Sequence, residues 1–317
     1  MLPYRLDIVI PCFNEGETIP VTIPHIIVYL DELKVDPALS LAHWRLILVD
    51  DGSQDGTWKY ITSICAPSRI CGVKLSRNFG HQSAMLAGLT HADADVVITM
   101  DSDLQDDIRA LRDMLVAYES GADLALGVRS ARLTDTTFKR ETARGYYRLL
   151  SLMGVSIIED HADYRLMSAR ALRALLAHGE VNLFIRGLIP SLGFTVSIIP
   201  YARRAREIGE SKYTLRKMLG LAIDGITSFS VMPLRLIALL GVLVFVCSVV
   251  VAGVVLVERL FFARYTTPGW ASMLLPLLAL GGIQLLSLGV IGEYIGKIYL
   301  ETKRRPHFIV EAVLGDI

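Results

Sequence analysis

The chain has 317 residues, 52% of them hydrophobic, and a mean hydropathy of +0.46. These values exclude disordered and fibrous classes and lie above those of an ordinary soluble enzyme. The formal charge is zero, from 32 basic and 32 acidic residues, but residues 1–128 are net acidic and residues 129–217 net basic. One half is suited to cations and the other to anions. Cys12, Cys65, Cys71 and Cys247 form no CxxC pair, so neither a zinc site nor a disulfide framework is expected, and the polar part is expected in a reducing cytoplasm.

In chain order, Met1–Ile10 carries Arg5 and Asp7 and reads as a short strand, not a cleavable signal. Short apolar runs at Leu6–Pro11, Arg45–Val49, Gly72–Leu75, Val96–Met100, Leu124–Gly127 and Thr195–Ile199 predict strands. Amphipathic stretches near Thr18–Leu33, Thr57–Cys65, Gln82–Leu89, Arg109–Glu119, Lys139–Met153 and Ser168–Ala177 predict helices between them. This alternation predicts an α/β domain with a mostly parallel sheet over residues 1–212. Residues 213–233 then predict an interfacial amphipathic helix, with Arg216, Lys217 and Asp224 among apolar residues.

Leu236–Val257 and Trp270–Gly292 contain no charge, and each can cross a hydrocarbon core of about 30 Å. They predict a two-helix transmembrane hairpin within residues 234–300. Arg235 precedes it, and Lys297, Lys303, Arg304 and Arg305 follow it. The positive-inside rule therefore predicts a catalytic domain and both termini in the cytoplasm, with residues 301–317 as a cytoplasmic tail.

Ligands of parallel sheets gather at the carboxyl ends of the strands. Asn14 and Glu15 follow the first predicted strand, Asp50 and Asp51 the second, and Asp101 and Asp103 the fourth. Read as extended backbone, Asp101, Asp103 and Gln105 converge on one face, an oxygen-rich set suited to Mg²⁺ or Mn²⁺. The plainer readings are a cap from Asp106 or Asp107 for the Arg109 helix, a cap from Asn14 and Glu15, and a polar turn at Asp51-Gly52-Ser53. Neither G-x-G-x-x-G nor G-x-x-x-x-G-K-[ST] occurs, so a bound diphosphate needs another counter-charge.

The motifs Ile10-Pro11-Cys12-Phe13-Asn14-Glu15, Val49-Asp50-Asp51-Gly52-Ser53, Arg77-Asn78-Phe79-Gly80 and Asp101–Asp106 resemble, in order, family 2 glycosyltransferases of GT-A (Rossmann-like) fold. Asp163-Tyr164-Arg165-Leu166, Asn182-Leu183-Phe184, Gly209-Glu210-Ser211-Lys212-Tyr213 and Gly292-Glu293-Tyr294-Ile295-Gly296 are similar to the polyprenyl-phosphate branch. That branch includes bactoprenol glucosyltransferases and dolichol-phosphate mannose synthase relatives. Two departures stand out: Asp107 replaces a proline common in relatives, and no QxxRW motif occurs, which argues against processive polysaccharide synthases.

The resemblance implies a metal-dependent, inverting transfer of one sugar to polyprenyl (undecaprenyl) phosphate at the cytoplasmic membrane face. UDP-glucose is the favoured donor; GDP-mannose, UDP-GlcNAc and UDP-aminoarabinose types are the alternatives. It implies that Pro11, Asn14, Glu15, Asp50 and Asp51 bind the nucleotide. Asp101, Asp103 and Gln105 would bind its diphosphate through Mg²⁺ or Mn²⁺, and Asp163 would act as base or orient the attack. Arg129, Arg165, Arg203 and Lys212 would hold the lipid phosphate. The implied partners are a nucleotide-sugar, a polyprenyl phosphate lipid, the membrane and further copies in a homo-oligomer. Nucleic acid is not among them, because the basic segment lacks interleaved aromatics. The rival expectations are a non-catalytic nucleotide-binding membrane scaffold and a flippase-like protein.

Overall fold

The computed structural model describes residues 2–66, 68–129, 161–178, 185–202, 231–261 and 270–315. The predicted helix at Lys139–Met153, residues 213–230 of the predicted interfacial helix at 213–233, Arg203 and Lys212 lie outside the described residues. The chain divides into two compact units, one comprising residues 1–148, 156–213 and 305–317, the other residues 149–155 and 214–304.

The first unit is built on one eight-stranded sheet. Its strands are β1 (Tyr4–Cys12), β2 (Leu41–Asp50), β3 (Ile70–Leu75), β4 (Val96–Thr99), β5 (Leu124–Arg129), β6 (His161–Ser168), β7 (Val196–Tyr201) and β8 (Val310–Leu314), in the order β7-β5-β6-β4-β1-β2-β3-β8. Pairings β1–β2, β1–β4, β2–β3 and β5–β7 are parallel. Strand β6 runs antiparallel to β4 and β5, and β8 antiparallel to β3. The mostly parallel sheet expected from the apolar runs is present. Both antiparallel strands escape that reading, and β8 lies within the segment expected to be a tail.

Helices α1 (Ile19–Lys34), α2 (Thr57–Ile64), α3 (His81–Thr90), α4 (Ala110–Glu119), α5 (Ala169–Leu176) and the short α6 (Ile185–Ser191) cover the sheet. Every β1 residue except Arg5 is buried, because the central strand packs on both faces. Leu6, Ile8 and Ile10 join a core with Ile23, Ile26 and Leu30 of α1 and Leu111 and Met114 of α4. Val9 points the other way, into a core with Met85 and Leu89 of α3 and Leu172 and Leu175 of α5. Helix α3 approaches so closely that a Cβ on Gly88 would stand 2.3 Å from Val9 Cγ1 and 2.9 Å from Val49 Cγ2.

The second unit contains helices α7 (Met232–Phe261) and α8 (Trp270–Lys303). Among the described residues one stretch, Leu280–Lys303, has the length and hydropathy to cross a membrane, and Met232–Val244 is a shorter apolar helix. The qualifying stretch overlaps the C-terminal half of the predicted Trp270–Gly292 span and extends beyond it, and among the described residues no second one qualifies. Leu285, Leu286, Leu288, Ile295 and Ile298 of α8 are exposed, an apolar surface that water disfavours.

Candidate active site

The carboxyl ends of β1, β2, β4 and β5 share one edge of the sheet. Because β6 is antiparallel, its beginning lies at that same edge: Thr99 pairs with Arg165, and Thr99 Oγ1 donates to the Asp163 carbonyl oxygen at 2.6 Å. A cleft of about 510 Å³ opens there. Of the residues predicted for the site, Pro11, Glu15, Asp51, Asp101, Asp103, Arg129 and Asp163 line it, joined by Asn78 and His81. Asn14, Asp50, Gln105 and Arg165 do not.

The turn after β2 explains two of those exceptions. Asn14 adopts φ 53°, a conformation asparagine tolerates better than most residues. Its amide donates to Ser53 Oγ at 2.9 Å, and its Oδ1 accepts from the Gln54 amide at 3.0 Å. Asn14 thus stitches two loops together. Asp50 is fully buried, with Oδ1 accepting the Ser53 amide at 3.1 Å and Oδ2 without a hydrogen-bond partner. Burial pushes its carboxyl above the usual range.

Asp51 grips the neighbouring loop. Its Oδ1 and Oδ2 accept the amides of Phe79 and Gly80 at 2.7 and 2.9 Å, although burial still pushes its carboxyl upward. Gly52 makes the grip possible. It sits at φ 68°, and a Cβ there would lie 2.3 Å from the Arg77 carbonyl carbon. The plain polar turn read at Asp51-Gly52-Ser53 is therefore also the anchor of the Arg77–Gly80 loop.

The Asp101–Gln105 stretch is not extended. Residues 102 and 103 form a turn, and Leu104 adopts φ 49°. The face-sharing argument for Gln105 consequently fails: it is 8% exposed and absent from the cleft lining, and its amide donates to Asp103 Oδ1 at 3.1 Å. Asp101 and Asp103 do meet in the cleft. Asp101 Oδ1 is buried and accepts no hydrogen bond, and burial, against the pull of His81, raises its carboxyl. Asp107 Oδ1 accepts the Arg109 backbone amide at 3.1 Å in the turn ahead of α4, whose N-cap residue, Arg109, makes no side-chain capping hydrogen bond.

Asp163 is reached from two sides. Arg165 Nη2 donates to Oδ1, and His81 Nε2 stands 3.6 Å from Oδ2. Arg165 is 0% exposed and its Nη2 lies 3.9 Å from Met85 Sδ. The guanidinium is sealed in the sheet, where it holds Asp163. Arg129, by contrast, lines the cleft, with Nε 3.4 Å from Tyr201 Oη; that hydroxyl donates to Asp106 Oδ1 at 2.8 Å. His81 was not singled out from the sequence. The available signal was its place directly after Arg77-Asn78-Phe79-Gly80, where a helix begins.

Residues 7–176 match the family model described as Glycosyl transferase family 2. The chain belongs to glycosyl transferase family 2. Over 309 residues it is 44% identical to the uncharacterized glycosyltransferase YkoT of Bacillus subtilis (strain 168), covering 96% of this chain and 91% of that one. It is 36% identical to the bactoprenol glucosyl transferase of Shigella phage SfV, covering 97% and 98%. Among solved structures, Staphylococcus aureus TarS 1–349 in complex with UDP-GlcNAc overlaps 71% of this chain and 66% of that one, at 17% identity and TM-score 0.46. The protein is a family 2 glycosyltransferase with a mostly parallel α/β domain.

A cation fits this glycosyltransferase's cleft on chemical grounds. Asp101 and Asp103 supply hard oxygen donors, and the buried, unbonded Asp101 Oδ1 wants a positive partner. Among the described residues no three His, Cys, Asp or Glu cluster as a metal site. Two carboxylates alone leave the rest of a hard cation's shell to ligand oxygens and water.

Proposed function

We propose that this glycosyltransferase moves a single sugar from a nucleotide-sugar, UDP-glucose by preference, to a polyprenyl phosphate at the cytoplasmic membrane face. One observation carries the reading: a single cleft gathers Asp101 and Asp103 on one strand end and Asp163 and Arg129 on two others. The first pair suits a donor diphosphate and Arg129 suits an anionic acceptor. The full-length likeness to bactoprenol glucosyl transferase supports the acceptor class, and the exposed apolar residues of α8 support a membrane setting.

In the reaction, an acceptor phosphate oxygen attacks the anomeric carbon. The bond from that carbon to the donor's terminal phosphate oxygen breaks, its electron pair leaves with the nucleoside diphosphate, and the anomeric centre inverts. A phosphate monoester's second ionisation lies near pH 6, so the nucleophile is already mostly deprotonated. Asp163, held by Arg165, orients the attack and needs to take only a residual proton. A Mg²⁺ or Mn²⁺ held by Asp101 and Asp103 would neutralise charge on the departing diphosphate. Glu15 and Pro11 border the donor side, and Asp51 keeps Asn78 at the cleft wall. Arg203 and Lys212 complete the acceptor side in this reading. Residues 213–233 lie at the interface, and α7 and α8 form the hairpin that leaves both termini cytoplasmic.

The test is transfer by the purified full chain in detergent, with undecaprenyl phosphate and, in turn, UDP-glucose, UDP-GlcNAc and GDP-mannose, with Mg²⁺ or Mn²⁺ and with excess chelator. Metal-dependent formation of a glycosylated lipid, fastest with UDP-glucose, is the expected result. Absence of lipid product from every donor would overturn the acceptor class.

A further inference from the structure

The imidazole of His81 stands between carboxylates from two strands. Its Nε2 is 3.5 Å from Asp101 Oδ1 and 3.6 Å from Asp163 Oδ2. Both distances suit an ion pair and exceed a good hydrogen bond. One N–H cannot serve two carboxylates, so the ring can commit to one only when the other is engaged elsewhere.

The position of His81 is built into the fold. It is the first residue of α3, and the two amides before it are those gripped by Asp51. Gly80 takes φ 95° and ψ 154°, a region open essentially to glycine alone. The Arg77 guanidinium lies 4.0 Å above the Phe79 ring. Opposite, Thr99 holds the Asp163 backbone and Arg165 takes Oδ1, and the imidazole faces the other carboxylate oxygen, Oδ2.

Resting on the glycosyl-transfer reading above, we infer that His81 is a positioning residue that couples the donor side of the cleft to the acceptor side. When a donor engages Asp101, the Nε2–H of His81 turns to Asp163 Oδ2 and holds that carboxylate toward the incoming phosphate. The role asks for a proton on Nε2 and for no change in the ring's charge. Catalytic contacts often tighten in this way only once substrate is bound. His81 need not touch the sugar or the nucleotide, and its effect belongs to the transfer step.

Three variants test this in the full chain in detergent, with UDP-glucose, Mn²⁺ and undecaprenyl phosphate. His81→Leu keeps bulk and loses the N–H; a lost charge-assisted hydrogen bond predicts a fall in kcat of about tenfold to a hundredfold. The KM for UDP-glucose, and the dissociation constant of UDP with Mn²⁺ by calorimetry, should change less than about threefold, since the loss falls on the transition state. His81→Gln, which offers an amide N–H at similar reach, should recover kcat to within about threefold of wild type. In an Asp163→Asn background, His81→Leu should add little, because the two act as one unit. The assignment is overturned if His81→Leu keeps wild-type kcat, if His81→Gln is as impaired as His81→Leu, or if the whole loss appears in UDP binding. A wild-type enzyme that glycosylates no lipid would instead sink the acceptor reading. An active wild type with an equally active His81→Leu sinks the positioning role alone.

Discussion

Asp101→Asn should stabilise the free protein and abolish its use of the donor. The carboxyl of Asp101 has one oxygen that is buried and accepts no hydrogen bond, and burial raises it above its ordinary value of 3.8. A raised carboxyl stabilises the fold fully below the ordinary value, and that contribution is lost as pH rises through the raised one. At neutral pH wild type therefore carries the whole cost of the buried charge, and the amide of the same shape does not. An unsatisfied buried group costs about 1–3 kcal/mol; because the side chain is 33% exposed and His81 offsets part of the charge, about 1 kcal/mol is expected. For a domain of roughly this size that raises Tm by about 2–4 °C. The assay is thermal unfolding in chelator at several pH values, with the gap largest near pH 7 and closing toward pH 4. Adding UDP and Mn²⁺ at a hundred times Kd should stabilise wild type by about 2.7 kcal/mol and leave Asp101→Asn unmoved, reversing the order. A variant that melts below wild type in chelator at pH 7, or a gap that persists to pH 4, would refute the reasoning.

Other substitutions probe the frame around the cleft. Gly52→Ala adds a left-handed penalty of about 1–2 kcal/mol to an overpacking cost of about 1–3 kcal/mol against the Arg77 backbone; a urea midpoint within error of wild type would contradict the turn geometry. Arg165→Met removes one partner of a buried pair and should cost about 3–5 kcal/mol, with part recovered when Asp163→Asn is added; denaturant titration of the three variants checks both statements. Phe308→Ala empties a partly buried place against the second core and should cost about 2 kcal/mol. Hydrogen exchange should then quicken at the Ser76 amide, which donates to the Ile309 carbonyl oxygen at 2.9 Å.

The parallel core was legible because its strands are buried on both faces. Continuous runs such as Leu6–Pro11 and Val96–Met100 have no other economical use, and their helices follow at short spacing. Strand β6 was illegible for the opposite reason: it begins His161-Ala162-Asp163-Tyr164-Arg165, and hydropathy counts Asp163 and Arg165 as solvent-seeking. Their burial depends on each other, a pairing across two residues on one face that no window average detects. Strand β8 alternates half-buried and exposed residues over five positions, too short and too polar to separate from a tail. It becomes a strand because β3 offers an open edge.

The same distinction divides the candidate site. Strand ends supplied the acidic residues as a class, and a parallel sheet brings such ends to one edge, which is why Glu15, Asp51, Asp101 and Asp103 were found together. Hydropathy and spacing cannot tell a carboxylate that serves the fold from one that serves a ligand. Asp51 spends both oxygens on the Phe79 and Gly80 amides, Asp55 receives the Gly16 and Thr57 amides, and Asp163 is held by Arg165. Asp101 lines the same cleft with an oxygen that nothing in the fold hydrogen-bonds. Leu104 hides the turn that separates Gln105 from this group, since leucine at positive φ leaves no trace in a sequence. Asp50 also leaves an oxygen without a hydrogen bond, but outside the cleft lining. It is thus an unsatisfied oxygen together with a place in the cleft that marks Asp101, and that combination belongs to the three-dimensional arrangement rather than to any motif along the chain.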